Sequence, residues 1–233
     1  MAVIKSIRDQ LAPLHPAGYP FVGGFALATL VLWWLFPPLG WLAFVATLWC
    51  AYFFRDPARV TPIRDDLVVA PADGRVCFVG HSAPPPDLGL GAAPLLKLSI
   101  FMNVFDCHVN RAPVEGRVAR IAYRPGLFLS ADLDKASEDN ERNGLVIDAP
   151  AGRFGVVQIA GLVARRIVCF TQEGARLGVG DRFGLIRFGS RVDVYLPDGA
   201  VVIVGINSRC VAGETVIALT GRGQEPQRLF SRA

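Results

Sequence analysis

The sequence predicts a mainly β (α+β) protein, an antiparallel β-sheet domain preceded by an N-terminal hydrophobic helical hairpin. Three observations lead there. No residue from Pro16 to Phe54 is charged, and Pro37-Pro38 breaks that stretch in the middle. After Arg55-Asp56-Pro57 the chain turns into short apolar runs punctuated by glycine and proline, the texture of antiparallel strands and turns. The composition, 52% hydrophobic and 19% charged, with a mean hydropathy of +0.39, is too apolar for an ordinary soluble domain and calls for a membrane segment.

The 233 residues suit one medium domain with an appendage. The expected division is a membrane-associated segment over 1–56 and a β domain over 57–233. A straight bilayer-spanning helix needs about 20 apolar residues. Phe21–Phe36 and Leu39–Phe54 are each shorter, so two short helices, or one that dips in and returns, are expected. Trp33, Trp34, Trp41, Trp49 and Tyr52 offer rings suited to the interface. Lys5 and Arg8 before the segment match Arg55 and Arg59 after it, which places both ends on the cytoplasmic face of the cell membrane. A signal peptide does not fit, because the charged start is distant, the apolar run is double and no small-residue cleavage site follows.

Strands are expected near Val68–Ala70, Gly74–Val79, Leu95–Phe101, Gly116–Tyr123, Gly144–Asp148, Phe154–Ile159, Ile167–Phe170, Arg182–Phe188, Val192–Leu196, Ala200–Val204 and Thr215–Leu219. Ala83–Gly91, rich in proline and glycine, reads as a surface loop, and Leu133–Arg142 as a loop or single helical turn.

The net charge of +4 and pI near 9.0 favour an anionic surface. No lysine-arginine run or basic-aromatic patch supports nucleic acid, so none is expected as a partner. The five cysteines are widely spread without a C-x-x-C pair, which indicates neither a disulfide framework nor a zinc site. Cys107 beside His108 has no second pair at ligand spacing, and no metal is expected.

Chemistry concentrates in three places. In Arg187–Pro197 a Gly189-Ser190 pair sits between strand-like flanks, interrupting a sheet where glycine permits unusual backbone. In Ala70–Val76 an acid, Asp73, occupies a turn between two strand candidates. In Phe105–Pro113 lies His108, one of three histidines, the others flanking the membrane segment (His15) and a flexible loop (His81). Each has a routine alternative: a solvated Gly-Ser turn, an Asp-Gly hairpin, a structural histidine. Together they supply what a weak hydroxyl nucleophile needs, a base and a carboxylate to orient it, so Asp73, His108 and Ser190 form a candidate catalytic set. Lys135–Asn143 reads by composition as a solvated charged loop, though loops on rigid sheets often carry binding residues.

Phe188-Gly189-Ser190, continued by Arg191-Val192-Asp193-Val194-Tyr195-Leu196-Pro197, resembles the self-cleavage site of the phosphatidylserine decarboxylases, in their short bacterial, archaetidylserine decarboxylase-like branch. The likeness runs from about Phe54 to Leu219. It implies that Ser190 attacks the Gly189 carbonyl and that cleavage between 189 and 190 yields a large β chain and a small α chain, which remain together as a heterodimer. Residue 190 becomes a pyruvoyl group, with no metal and no pyridoxal phosphate. The implied reaction converts phosphatidylserine of the membrane to phosphatidylethanolamine and carbon dioxide through a Schiff base, with Asp73 and His108 assisting. Longer family members carry two histidines three apart, whereas here the second position is Arg111. Arg111 is therefore a candidate for the substrate phosphate or carboxylate, with a structural ion pair the equal alternative. Lys135–Asn143 matches a segment of the short branch, which makes Asn140, Glu141 and Arg142 candidates for shaping the site. Two other classes stay open: a pyruvoyl enzyme for a soluble amino acid, and a non-catalytic membrane-tethered lipoyl-like β domain. The second needs an exposed lysine at a hairpin tip, which neither Lys97 nor Lys135 provides.

Overall fold

The computed structural model describes residues 12–126, 140–161, 166–187 and 190–221. The chain forms two compact units, Met1–Ala58 and Arg59–Ala233.

In the first unit a 3-10 turn, Pro16–Gly18, leads into α1 (Tyr19–Leu35), and α2 (Pro37–Phe53) follows after one extended residue, Phe36. Prolines stand in the first turn of both helices, where the missing N–H costs nothing. The Pro37-Pro38 break thus starts the second helix. Main-chain bonds from His15 to the Phe54 carbonyl (2.8 Å) and from Asp56 to the Pro13 carbonyl (2.7 Å) close the hairpin at its base. Along the seam the Thr29 and Thr47 hydroxyls meet at 2.9 Å, and Gly40 lies against Trp33. Leu27, Leu30, Trp34, Leu42 and Leu48 are exposed. Counted with its leading turn, Pro16–Leu35 is 20 residues, long and apolar enough to cross a bilayer by length and composition. The first helix is therefore longer than Phe21–Phe36, because the pre-proline stretch is already helical.

The second unit is built from β1 (Leu67–Val69), β2 (Gly74–Ser82), β3 (Leu95–Met102), β4 (Val109–Arg111), β5 (Gly116–Arg124), β6 (Arg142–Ala149), β7 (Gly152–Ala160), β8 (Ile167–Cys169), β9 (Arg176–Leu177), β10 (Arg182–Ile186), β11 (Ser190–Leu196), β12 (Val201–Val202), β13 (Arg209–Cys210) and β14 (Val216–Leu219). The expected fold class is borne out. All pairings between these strands are antiparallel, in an eight-stranded sheet of order β13-β2-β3-β11-β7-β6-β5-β9 and two three-stranded sheets, β1-β14-β12 and β4-β10-β8. Side chains from the small sheets, including Val68, Ile217, Phe183 and Ile167, share one core with Leu98, Ile100, Val156, Val192 and Val194 of the large sheet. The opposite face of the large sheet buries Val146, Val157, Ile159 and Tyr195 under Leu88.

Three expectations change. β4, β9 and β13 carry no apolar run of their own and are strands through their partners. Ala83–Gly91 contains a 3-10 turn, Pro86–Leu88, whose Leu88 is buried over Gly144 and Gly155. Of Leu133–Arg142, the described part is no solvated loop: Asn140 to Asn143 are all buried, and Arg142 and Asn143 begin β6.

Gly74 leads Asp73 into β2 with φ of 150°, and a Cβ there would lie 2.1 Å from the Phe101 carbonyl oxygen. Gly74→Ala should therefore lower stability by roughly 3 kcal/mol or prevent folding, whereas Gly23→Ala, with nothing within 4 Å of the new methyl, should not. Thermal unfolding of both variants in detergent checks this, and equal midpoints would refute the close approach at Gly74.

Candidate active site

Ser190 is the first residue of β11, the strand between β3 and β7. Its cross-strand neighbours are Met102 and Ala160. Strand alternation sends Ser190, Val192, Val194 and Leu196 into the shared core, and Arg191, Asp193 and Tyr195 to the other face. Ser190 is fully buried, and its Oγ has no hydrogen-bond partner among the described residues. A buried hydroxyl without a partner costs about 1–3 kcal/mol, so its presence at this position asks for a use. Gly189 and Phe188 lie outside the described residues, as do Lys135 and the rest of 127–139.

His108 is also fully buried. Its Nδ1 lies 2.9 Å from the Asp106 carbonyl oxygen. A carbonyl only accepts, so in the neutral ring the proton sits on Nδ1 and Nε2 carries the basic lone pair. Asp106 is itself held, its carboxylate receiving the Asn103 N–H (3.0 Å) and the Arg209 guanidinium (2.8 Å). The His108 segment reaches the end of β10, which precedes Ser190 in the chain, and the end of β3, which stands beside it. Ile186 N–H donates to the His108 carbonyl at 3.2 Å, four residues ahead of Ser190, and Asn110 Nδ2 approaches the Met102 sulfur at 3.7 Å.

Asp73 sits at the end of the link from β1 to β2. This is not a hairpin, since β1 pairs with β14 while β2 pairs with β3 and β13. Its carboxylate takes both oxygens to Arg59 Nη2 (3.0 and 2.8 Å) and accepts the Ala212 N–H at 2.8 Å. Arg59, read from the sequence as a membrane-flanking charge, is thus the partner of Asp73. Burial, and secondarily the Asp73 charge, push the neighbouring Cys210 thiol up to about 12. All five cysteines are thiols rather than disulfide halves.

Of the further candidates, Arg111 is buried in β4 and donates to the Gly180 carbonyl at 3.0 Å. Asn140 Nδ2 donates to the Ala160 carbonyl (2.8 Å) and the Ala160 N–H donates to the Glu141 carbonyl (2.9 Å), so these two residues brace the strand end opposite Ser190. Glu141 Oε1 accepts from the Tyr123 hydroxyl (3.0 Å) and the Ile167 N–H (3.2 Å). Arg142 pairs with Asp87 at 3.0 Å, farther along the sheet. Lys97 is buried, with its ammonium 4.5 Å from the Phe78 ring centre and 3.9 Å from Asp193, so it offers no exposed attachment point.

Residues 46–218 match the family described as phosphatidylserine decarboxylase. A phosphatidylserine decarboxylase proenzyme of Beijerinckia indica subsp. indica is 67% identical over 218 residues, covering 94% of each chain. The chain belongs to the phosphatidylserine decarboxylase family. The family match spans every candidate position, from Asp73 through Ser190.

In this family member, reasoning from residue types passed over Arg59, Asp106, Asn110 and Gln158. Gln158 had a readable signal, a lone amide inside the apolar run Val156–Ile159. The others are named by partners distant in sequence.

Two outcomes follow for Asp73 and Cys210. The folded-state pKa of Cys210 lies above its ordinary value of 9.0, so the stability it contributes is complete below pH 9 and is lost as pH rises toward 12. At pH 9 iodoacetamide should label exposed Cys77 and spare Cys210, and labelling of both at equal rates would refute the burial. Asp73→Ala, which leaves the half-buried Arg59 and the Ala212 N–H without their carboxylate, should cost about 1–3 kcal/mol in chemical denaturation.

Proposed function

We propose that this chain is a self-processing, pyruvoyl-dependent decarboxylase that converts phosphatidylserine to phosphatidylethanolamine and carbon dioxide at the cytoplasmic face of the cell membrane. The observation that carries the reading is the buried Ser190 hydroxyl, without a hydrogen-bond partner among the described residues and directly after Gly189 in sequence, in a chain 67% identical to a proenzyme of that name.

In the proposed cleavage, His108 Nε2 takes the Ser190 hydroxyl proton as Oγ adds to the Gly189 carbonyl carbon. The carbon–nitrogen bond between 189 and 190 then breaks, leaving an ester on Ser190 Oγ and an amine at residue 190. Loss of the residue 190 α-proton breaks the Cβ–O bond and frees the Gly189 carboxylate. Water replaces the nitrogen, which departs as ammonia, and the α chain begins with the pyruvoyl group. Asp106 serves this sequence by fixing the His108 tautomer through its carbonyl. Asp73, tied to Arg59 and Ala212, secures the adjoining turn. The pyruvoyl group supplies a ketone that takes up the substrate amine and accepts the electron pair freed as carbon dioxide leaves. Pairing with both β3 and β7 keeps the new chain end in place, so the β and α chains, 57–189 with the N-terminal segment and 190–233, stay together as a heterodimer.

Headgroup binding is assigned to a basic pair beside the cleavage site. Arg187 N–H donates to the Arg166 carbonyl at 3.3 Å, next to the Ile186–Ile167 pair of β10 and β8. Burial first, and then the Arg166 charge, lower the Arg187 pKa, and the phosphodiester of a serine phospholipid is an anion of the kind that a pair of guanidinium groups receives. The apolar exterior of α1 and α2 suits a substrate that stays in the bilayer.

Intact mass of the purified protein with Ser190→Ala alongside tests the core of this reading. The wild type should give two chains, the smaller of 44 residues (233 minus 189) with a blocked amino terminus, and the variant one inactive chain. An uncut wild type with an ordinary serine that nevertheless decarboxylates would refute it. Arg187→Leu, assayed on its cleaved fraction, should raise KM for phosphatidylserine about tenfold with kcat nearly unchanged; an unchanged KM removes Arg187 from the headgroup site.

A further inference from the structure

Three buried amides form a directed chain on the face of the sheet that Ser190 occupies. Asn143 Nδ2 donates to Gln158 Oε1 at 3.0 Å, and Gln158 Nε2 donates to Asn110 Oδ1 at 2.7 Å. The chain ends with Asn110 Nδ2 directed at the Met102 sulfur, 3.7 Å away. All three residues are almost wholly removed from solvent, with Asn110 and Gln158 at 0%. The Gln158 bond and the Met102 sulfur together set the two ends of the Asn110 carboxamide: a flip of Asn110 alone would put donor against donor at Gln158, and a flip of all three amides would put the Asn110 oxygen against the thioether, acceptor against acceptor.

The register shows where that nitrogen is. Met102 belongs to β3 and Gln158 to β7, and β11 lies between those strands. Met102 stands opposite Ser190, and Gln158 stands opposite Val192, the next residue on the same face. Strands two apart are separated by roughly 10 Å. A carboxamide that touches both Met102 and Gln158 therefore bridges β11 over the Ser190–Val192 step. β4 is brought close enough by Gly184, which pairs with Asn110 and on which a Cβ would come within 2.7 Å of Gln158 Nε2.

Asn110 Nδ2 carries two protons and, among the described residues, meets one acceptor, a thioether, among the weakest acceptors a protein has. Near it, by the register, the Ser190 oxygen has no hydrogen-bond partner among the described residues. A strongly held amide thus keeps a weakly committed N–H above a hydroxyl that must become an alkoxide. We propose that Asn110 is a catalytic hydrogen-bond donor in self-cleavage, giving an Nδ2–H to the Ser190 oxygen as its proton is taken, with Gln158 and Asn143 as positioning residues that hold the carboxamide in that sense. This rests on the self-cleavage reading above. The bond to Met102 is its resting state, broken at little cost when the seryl oxygen acquires charge.

Asn110→Asp tests the proposal: it keeps an acceptor for Gln158 and replaces the amide donor with a carboxylate, at the cost of a buried charge. A second variant, Asn110→Leu with Gln158→Leu, removes the amide pair without burying a charge. Folding is read separately as the thermal midpoint of each variant in a Ser190→Ala background, where no cleavage occurs. Cleavage is read on denaturing gels and by intact mass after synthesis, with and without hydroxylamine, which cuts any accumulated ester to a Gly189 hydroxamate and a free serine. The expected result, in whichever variant keeps its midpoint, is cleavage slowed about 100-fold with no fragment released by hydroxylamine, because the block precedes the ester. Cleavage within threefold of wild type in a folded variant, or rapid release by hydroxylamine, overturns the role of Asn110. A wild-type chain that never cleaves would instead overturn the self-cleavage reading itself, so the two failures are distinguishable.

Discussion

The pairing of β11 with β3 on one side and β7 on the other is the constraint on which the rest of this domain depends. Seven residues, Ser190 to Leu196, are buried in an unbroken run with neighbours on both edges and both faces. Such a strand has no freedom to shift, since a one-residue slip would exchange Val192, Val194 and Leu196 for Arg191, Asp193 and Tyr195 in the core. On the face away from Ser190, Arg191 satisfies Asp193 within the strand through two hydrogen bonds, 2.8 and 3.1 Å. Because Ser190 is the first residue of this strand, its location is set by the most firmly determined element of the fold.

Around that strand the polar groups fall into two kinds. Most are satisfied and spend their hydrogen bonds on holding geometry: Arg59 with Asp73, Asp106 with Asn103 and Arg209, Asn140 and Glu141 with the end of β7. Buried ion pairs of this type seldom add much net stability, but losing one partner is costly, so they fix arrangement more than they strengthen it. Ser190 is of the second kind, buried and without a hydrogen-bond partner among the described residues. The contrast between a satisfied frame and an unsatisfied hydroxyl is the electrostatic form of preorganisation, in which the reorganisation cost is met during folding rather than during reaction.

The helical hairpin follows a different logic. Its inward contacts are few and specific, a Thr29–Thr47 hydroxyl pair, Gly40 against Trp33 and ring contacts between Trp33 and Trp41 at 4.7 Å. Small residues and paired hydroxyls hold helices together where the surroundings are as apolar as the side chains. The exposed leucines and tryptophans are of a kind that lipid tails do not penalise, and the chemistry of a diacyl substrate agrees with that of this surface.

The sequence alone determined the uncharged hairpin, the strands with apolar runs of their own and the glycine-serine motif, because absence of charge, alternation of side chains and a local tetrad are properties of neighbouring residues. Only the tertiary structure decided the rest. β4, β9 and β13 are strands by virtue of the partners they meet, and no periodicity announces three residues or two. Asn140 to Asn143 look like solvated charge yet are buried, since Ala160, Tyr123, Asp87 and Gln158 wait for them across the sheet. Arg59 reads as an interfacial anchor and is the counter-ion of Asp73. His108 is oriented through a carbonyl two residues away, a choice of turn geometry that composition does not encode. In each case the deciding quantity is the free energy of a buried polar group, which depends on a partner remote along the chain, and so it becomes defined only once the chain has folded.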